Sequence, residues 1–181
     1  YFLMHGRLWL MVATFAELGL VFVASSMAAK NSPAALPVFL IYSVLNGFTL
    51  SFVVAFYTPG TVLSAFVSSA LLFFVMAAIG IFTKKDLSGM GRALMAALVG
   101  LIIAMIVNIF LASGFFDYMI SIAMVLVFSG LIAWDNQKIR YVYEQSRGQV
   151  ATGWVISMAL SIYLDFINLF LSFLRIFGRN D

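Results

Sequence analysis

The chain has 181 residues, of which 64% are hydrophobic and only 9% charged, with 19 Phe and 10 Met. A soluble domain carries about a quarter charged residues, so this composition excludes a water-facing globule and assigns an all-α integral membrane protein. With no Cys, one histidine (His5) and a net charge of +3, disulfides, thiolate metal sites, cysteine nucleophiles and an H-E-x-x-H protease are excluded, and no nucleic-acid partner is indicated.

The chain opens Tyr1-Phe2-Leu3 rather than with Met, which leads us to expect sequence upstream. The first apolar run is a full span in length, not the short core of a cleavable signal peptide. A membrane-crossing helix needs roughly 20 mostly apolar residues. Six stretches qualify, at about 8–29, 34–57, 61–82, 93–113, 118–134 and 153–177, and together they read as one transmembrane helical domain over 1–181. Polar punctuation separates them: Lys30-Asn31-Ser32-Pro33, Thr58-Pro59-Gly60, Thr83 to Gly91, Ser113-Gly114, and a longer polar stretch, Asp135 to Thr152.

Basic residues mark the cytoplasmic ends of membrane helices. Lys30 lies in one connection, Lys84, Lys85 and Arg92 in another, and Lys138, Arg140 and Arg147 in a third, whereas the alternate connections around Pro59 and Asp117 contain no Lys or Arg. Strict alternation then puts Arg175, Arg179 and the C-terminus outside, against the same rule. Either the last helix tolerates this conflict or it does not simply cross. Asp135–Gly148 can be read as an extension of the fifth helix, as a segment lying along the headgroups, or as a polar loop with a helical start.

Three acids need a physical account. Glu17 sits near the middle of the first span, Asp165 near the middle of the last, and Asp135 at the cytoplasmic end of the fifth. An ionisable group at bilayer depth costs several kcal/mol and faces a bundle interior or a water cavity. Ser157, Ser161, Asp165, Asn168, Ser172 and Arg175 follow one another by three or four residues, which is one face of an α-helix. The rest of that helix is Leu, Ile and Phe, too apolar for the membrane surface, so the stripe must face other helices and the helix belongs near the bundle's centre. The serines can equally serve as hydrogen-bonding glue between helices, as can Asn46 and Asn108, with Gly19, Gly47 and Gly100 as packing positions.

The segment A-L-S-I-Y-L-D-F-I-N-L-F-L-S-F-L-R-I-F-G at Ala159–Gly178 closely resembles the last core helix of the Bax inhibitor-1 (transmembrane BAX inhibitor motif) family, in its bacterial YccA/YetJ-like branch. L-I-A-W-D-N-Q-K-I at Leu131–Ile139, Y-S-V-L-N-G-F-T-L at Tyr42–Leu50 and T-K-K-D-L-S at Thr83–Ser88 match in order, so the resemblance covers essentially the whole chain. It implies a seven-helix bundle around a central last helix, with the six spans here corresponding to the second to seventh and the first missing. It also implies a pH-sensing pair of aspartates that gates a calcium leak, and places that pair at Asp135 and Asp165, with the family's second-helix acid at Glu17. Supporting roles along the path then fall to Ser161, Asn168 and Arg175. One departure is clear: where a homologue carries an arginine latch this chain reads V-A-S-S-M-A-A-K, leaving Lys30 as the nearby cation. Lysine is a point charge rather than a bidentate fork.

The implied ligands are Ca²⁺, as the transported ion held weakly and transiently by Asp135 and Asp165, and protons; no tightly bound cofactor is expected. Ca²⁺ takes six to eight oxygens, and no EF-hand loop is present. Three other functions compete with this one. An intramembrane aspartyl protease also has two membrane acids but carries G-x-G-D, which is absent at both positions, so no enzymatic activity is expected. A regulator that binds a membrane protease or restrains a stress or cell-death pathway rests on family analogy alone. A proton-coupled transporter would need a substrate pocket. The expected location is the bacterial plasma membrane.

Overall fold

A computed structural model describes Glu17 and residues 19–180. Its elements are α1 (Gly19–Ala29), α2 (Ala35–Val54), α3 (Pro59–Phe82), α4 (Ser88–Leu111), α5 (Gly114–Gln145) and α6 (Thr152–Phe177), with a 3₁₀ turn at Gly178–Asn180. No strand occurs among the described residues. The helices α2 to α6 are each long and apolar enough to cross a membrane. Residues 8–16 and 18 of the first predicted span, like His5 and Asp181, lie outside the described residues.

Local chemistry sets the helix boundaries. The α3 helix begins where Thr58 accepts a hydrogen bond from the Thr61 amide and Pro59 occupies the first helical position, a place where its missing N–H costs nothing. Ser113 caps α5 in the same way by accepting from the Phe116 amide. Ala112 takes a left-handed conformation (φ 48°) that closes α4, and Asn108 accepts from the Ser113 amide at 3.2 Å. Asn108 is therefore a helix-end cap and not a bridge between helices.

The chain divides into two compact units. The first comprises Tyr1–Phe56 and Gln149–Leu160, the second Tyr57–Gly148 and Ser161–Asp181. In the first, Ala28, Ala35 and Ile156 form a small buried cluster with Met27 and Phe39 against it. Asn31 sits in a left-handed turn (φ 51°), tolerated by asparagine, and its side chain accepts from the Gly153 amide at 2.7 Å. A Cβ at Gly153 would run into the Ala28 carbonyl, so this glycine lets α6 start against the α1 end.

In the second unit α5 is the hub. Its buried residues Ile120, Met124, Val127, Phe128, Leu131 and Ile132 fall on one face of the helix and pack with Leu169 of α6. Glycines on the neighbours allow close approach: a side chain at Gly80 of α3 would strike the Ala133 backbone, and one at Gly91 of α4 would strike the Trp134 ring. Gly130 of α5 itself receives Leu94. By contrast, nothing lies within 4 Å of a Cβ built on Gly19, Gly47 or Gly100. The packing role expected of those three is not seen. The glycine signal was real but lay at other positions, because contact depends on which helix face meets a neighbour.

Two readings left open by the sequence are decided here. The polar stretch after Trp134 is not a loop: α5 continues unbroken through Gln145, and only residues 146–151 connect it to α6. At 1.5 Å per residue its 32 residues extend about 48 Å, well beyond a hydrocarbon core of roughly 30 Å. The extension is tied down by side chains. Gln137 donates to the Lys85 carbonyl at 2.8 Å and accepts from the Leu87 amide at 2.8 Å, while the Arg140 guanidinium donates to the carbonyls of Ile81 and Thr83. These are carbonyls at the end of α3, which have no partner within that helix.

The second concerns the last helix, which runs its full length. A Cβ at Gly178 would strike the Tyr57 ring, and the Arg179 guanidinium stacks over Tyr118 at 4.9 Å. The C-terminal end of α6 thus lies with the connections that lack Lys and Arg. Arg175 and Arg179 sit there despite the charge rule, where positive side chains complement the negative end of the helix dipole.

Candidate functional site

Asp135 and Asp165 are both buried, at 4% and 6% exposure. Asp135 continues the inward stripe of α5, one turn beyond Leu131 and Ile132. It does not cap the helix end, since ten more helical residues follow it. Its position is imposed by its neighbours along the chain: Ala133 is held against Gly80 and Trp134 against Gly91, so α5 can neither rotate nor slide without losing these contacts.

Of the α6 stripe predicted from spacing, Asp165 and Ser172 are buried and Ser157, Ser161, Asn168 and Arg175 half-buried. From Ser161 to Ile176 no side chain is exposed, so the apolar faces of this segment are at least half-covered as well. Its Phe166 and Phe170 meet Phe66 and Phe73 of α3 edge to face, with centroids 5.6–6.4 Å apart, a favoured aromatic geometry. Those contacts fix the rotation of α6 and thereby the direction of Asp165.

Ser161 donates a hydrogen bond to Oδ2 of Asp135, joining α6 to α5. Ser161 and Asp165 are one turn apart on the same face, so the side chain that holds Asp135 lies about 6 Å along the α6 axis from Asp165, toward the basic end. Oδ2 of Asp165 is buried and has no hydrogen-bond partner among the described residues. Buried carboxyl oxygens are normally satisfied, so an oxygen left open beside a second acid is a place for a proton, a water or a cation.

The other stripe residues divide by what they bond. Asn168 donates to the Leu164 carbonyl at 2.8 Å, and Ser172 to the Asn168 carbonyl at 2.7 Å. Both bonds stay within α6, so neither glues helices together. Arg175 is partly buried in the last turn.

Glu17, 9% exposed, belongs to the first unit. Thr49 donates to its Oε1, and Asn46 to its Oε2 at 3.1 Å. The two donors lie three residues apart on α2 and so present one face. Asn46 is thus a bridge between helices, as expected. Lys30 is exposed in the turn after α1.

Sequence reasoning missed Arg140 and Gln137 as the ties of the α5 extension. Their signal was available: Gln137, Arg140 and Glu144 recur at helical spacing in a stretch that could be read as helix or loop, and Arg140 lies 3.8 Å from Glu144.

Comparison with known proteins places these residues in context. The sequence profile of the family described as "Inhibitor of apoptosis-promoting Bax1" matches residues 1–181. An uncharacterized membrane protein of Streptococcus pyogenes serotype M1 is 60% identical over 169 residues, 93% of this chain and 74% of that protein. The Lactococcus lactis protein YrjE is 49% identical over 176 residues, covering 97% and 75%. Inner membrane protein YbhL of Escherichia coli K12 is 41% identical over 181 residues, covering 98% and 77%.

Proposed function

The chain belongs to the Bax inhibitor-1 family, and within that family we propose that it is a pH-sensitive cation leak, with calcium as the ion, gated by Asp135 and Asp165. It is a multi-pass bacterial membrane protein. The observation that carries the reading is the open oxygen of buried Asp165 beside Asp135, on two helices already joined through Ser161.

With Asp165 protonated only one of the two carboxyls is charged, the pair titrates as a unit, and the Ser161–Asp135 bond holds α6 against α5. Loss of that proton leaves two like charges side by side in a poorly solvated place. Their repulsion loosens the helix contact, and the anionic pair attracts a cation. Two carboxylates and the Ser161 hydroxyl fall short of the six to eight oxygens Ca²⁺ takes, so carbonyls and water must complete the shell. A site of that kind is weak and transient, which suits passage better than storage. On this reading Ca²⁺ is cargo, and the protein is not an enzyme.

The test is Ca²⁺ flux in proteoliposomes across a pH series on the basic side. Flux should rise with pH, and Asp165→Asn should flatten the curve, because an amide neither releases the proton nor repels Asp135. A wild-type pH profile in Asp165→Asn would remove this residue from the gate.

A further inference from the structure

A cavity of about 600 Å³ opens at the basic end of the second unit, between the α3–α4 connection and the α5 extension. Lys84, Lys138, Arg140 and Asp86 line it with the rings of Trp134 and Tyr141. We propose that it binds the phosphate headgroup of an anionic phospholipid.

The charges favour an anion, three cations against one carboxylate, and that carboxylate is already engaged. Asp86 accepts from the Ser88 amide at 2.9 Å, and it is held below its ordinary value by that bond, by the Ser88 hydroxyl and by Arg92. Arg140 spends its terminal nitrogens on the α3 carbonyls and supplies field rather than a free fork. Lys84 and Lys138 carry the free ammonium groups, and Lys138 lies over the Trp134 ring at 5.2 Å. The two lysines come from separate elements and converge on one space.

The surroundings select a lipid over a soluble anion. Phe82, two residues before Lys84, is 79% exposed, and Ile81 and Met90 beside the cavity's Ser88 and Lys84 are exposed too. Exposed apolar side chains at the ends of membrane helices face acyl chains. A polar, cationic hollow next to them matches a lipid end to end: phosphate on the lysines, glycerol by the rings, tails along α3 and α4. Basic pockets between membrane helices on the cytoplasmic side hold anionic headgroups for this reason. The inference concerns a site separate from the aspartate pair and does not depend on how that pair works.

The experiment uses the full chain with Trp9→Phe and Trp154→Phe, leaving Trp134 as the reporter, in bilayers containing dibrominated phosphatidylglycerol or dibrominated phosphatidylcholine. Quenching gives the relative association of the two lipids. Phosphatidylglycerol should be preferred, with about fivefold of that preference owed to each lysine. Lys84→Gln with Lys138→Gln should bring the ratio close to one, the corresponding Arg pair should keep it, and Lys85→Gln, outside the cavity, should leave it unchanged. The site assignment is overturned if the Gln pair retains the wild-type ratio, if no preference exists at the start, or if Lys85→Gln lowers the ratio as much as the Gln pair does. Loss of preference on adding millimolar inorganic phosphate at constant ionic strength would instead identify a free-anion site and overturn the lipid assignment.

Discussion

Replacing Gly80 with alanine adds one methyl where a neighbouring helix backbone comes closest in the second unit, and it meets the carbonyl oxygen, carbonyl carbon and Cα of Ala133. These are backbone atoms and cannot swing aside as a side chain can. The two helices must separate, and overpacking of this kind costs about 1–3 kcal/mol. Alanine also gains about 1 kcal/mol over glycine in helix propensity, so Gly80→Ala alone mixes two effects. Gly100→Ala on α4 separates them, because nothing lies within 4 Å of its added methyl. The propensity gain is common to both variants and cancels in the comparison. Gly80→Ala should therefore be less stable than Gly100→Ala by about 1–3 kcal/mol, with Gly100→Ala at or above the wild type. The assay is urea unfolding of the detergent-solubilised protein, followed by tryptophan fluorescence. Equal midpoints for the two variants would refute the claim that Ala133 is pinned by α3. Because Ala133 lies two residues before Asp135, the Gly80→Ala variant should also alter the pH profile of Ca²⁺ flux, and Gly100→Ala should not.

Arg140→Gln removes the charged donor to the Ile81 and Thr83 carbonyls. A bond from a charged donor is worth about 1.5–3 kcal/mol, and this partly exposed one belongs at the low end; hydrogen exchange should show lost amide protection in residues 83–88 and 137–145, with little change in α2. Asn46→Leu or Thr49→Val leaves a Glu17 oxygen buried without its donor, costing about 1–3 kcal/mol each, measurable in the same unfolding assay. Asp86 is held below its ordinary value by the Ser88 amide and hydroxyl, so its support of the α4 start is present above the ordinary carboxylate range and disappears as pH falls through its lowered folded-state value. Protection of the Ser88 amide should then fall in acid to that of Asp86→Ala, and an Asp86→Ala variant indistinguishable from wild type at pH 7 would exclude this role of Asp86.

The burial and the face of the candidate acids were legible in the sequence. The spacing of Ser161, Asp165, Asn168 and Ser172 located the inward face of α6, and the expense of burying a carboxyl singled out Asp135, Asp165 and Glu17. The spacing could not say what each polar group bonds. Ser161 reaches another helix whereas Ser172 turns back on its own, and both choices look identical as one residue in a helical stripe. Asp135 was misplaced at a helix end because the polar residues after it, Asn136-Gln137-Lys138, resemble a loop until their partners on the α3–α4 connection are known.

Composition and periodicity are local properties, so they were sufficient to determine a membrane-embedded helical protein, its apolar stretches and the face on which its acids lie. Which glycine touches which helix, how far α5 continues, and on which end α6 finishes depend on groups distant in sequence. The carbonyls of Ile81 and Thr83 hold Arg140, the Ala133 backbone fits only against Gly80, and Tyr57 and Tyr118 receive the C-terminal turn. Only packing brings those groups together, and so only the tertiary structure could decide them.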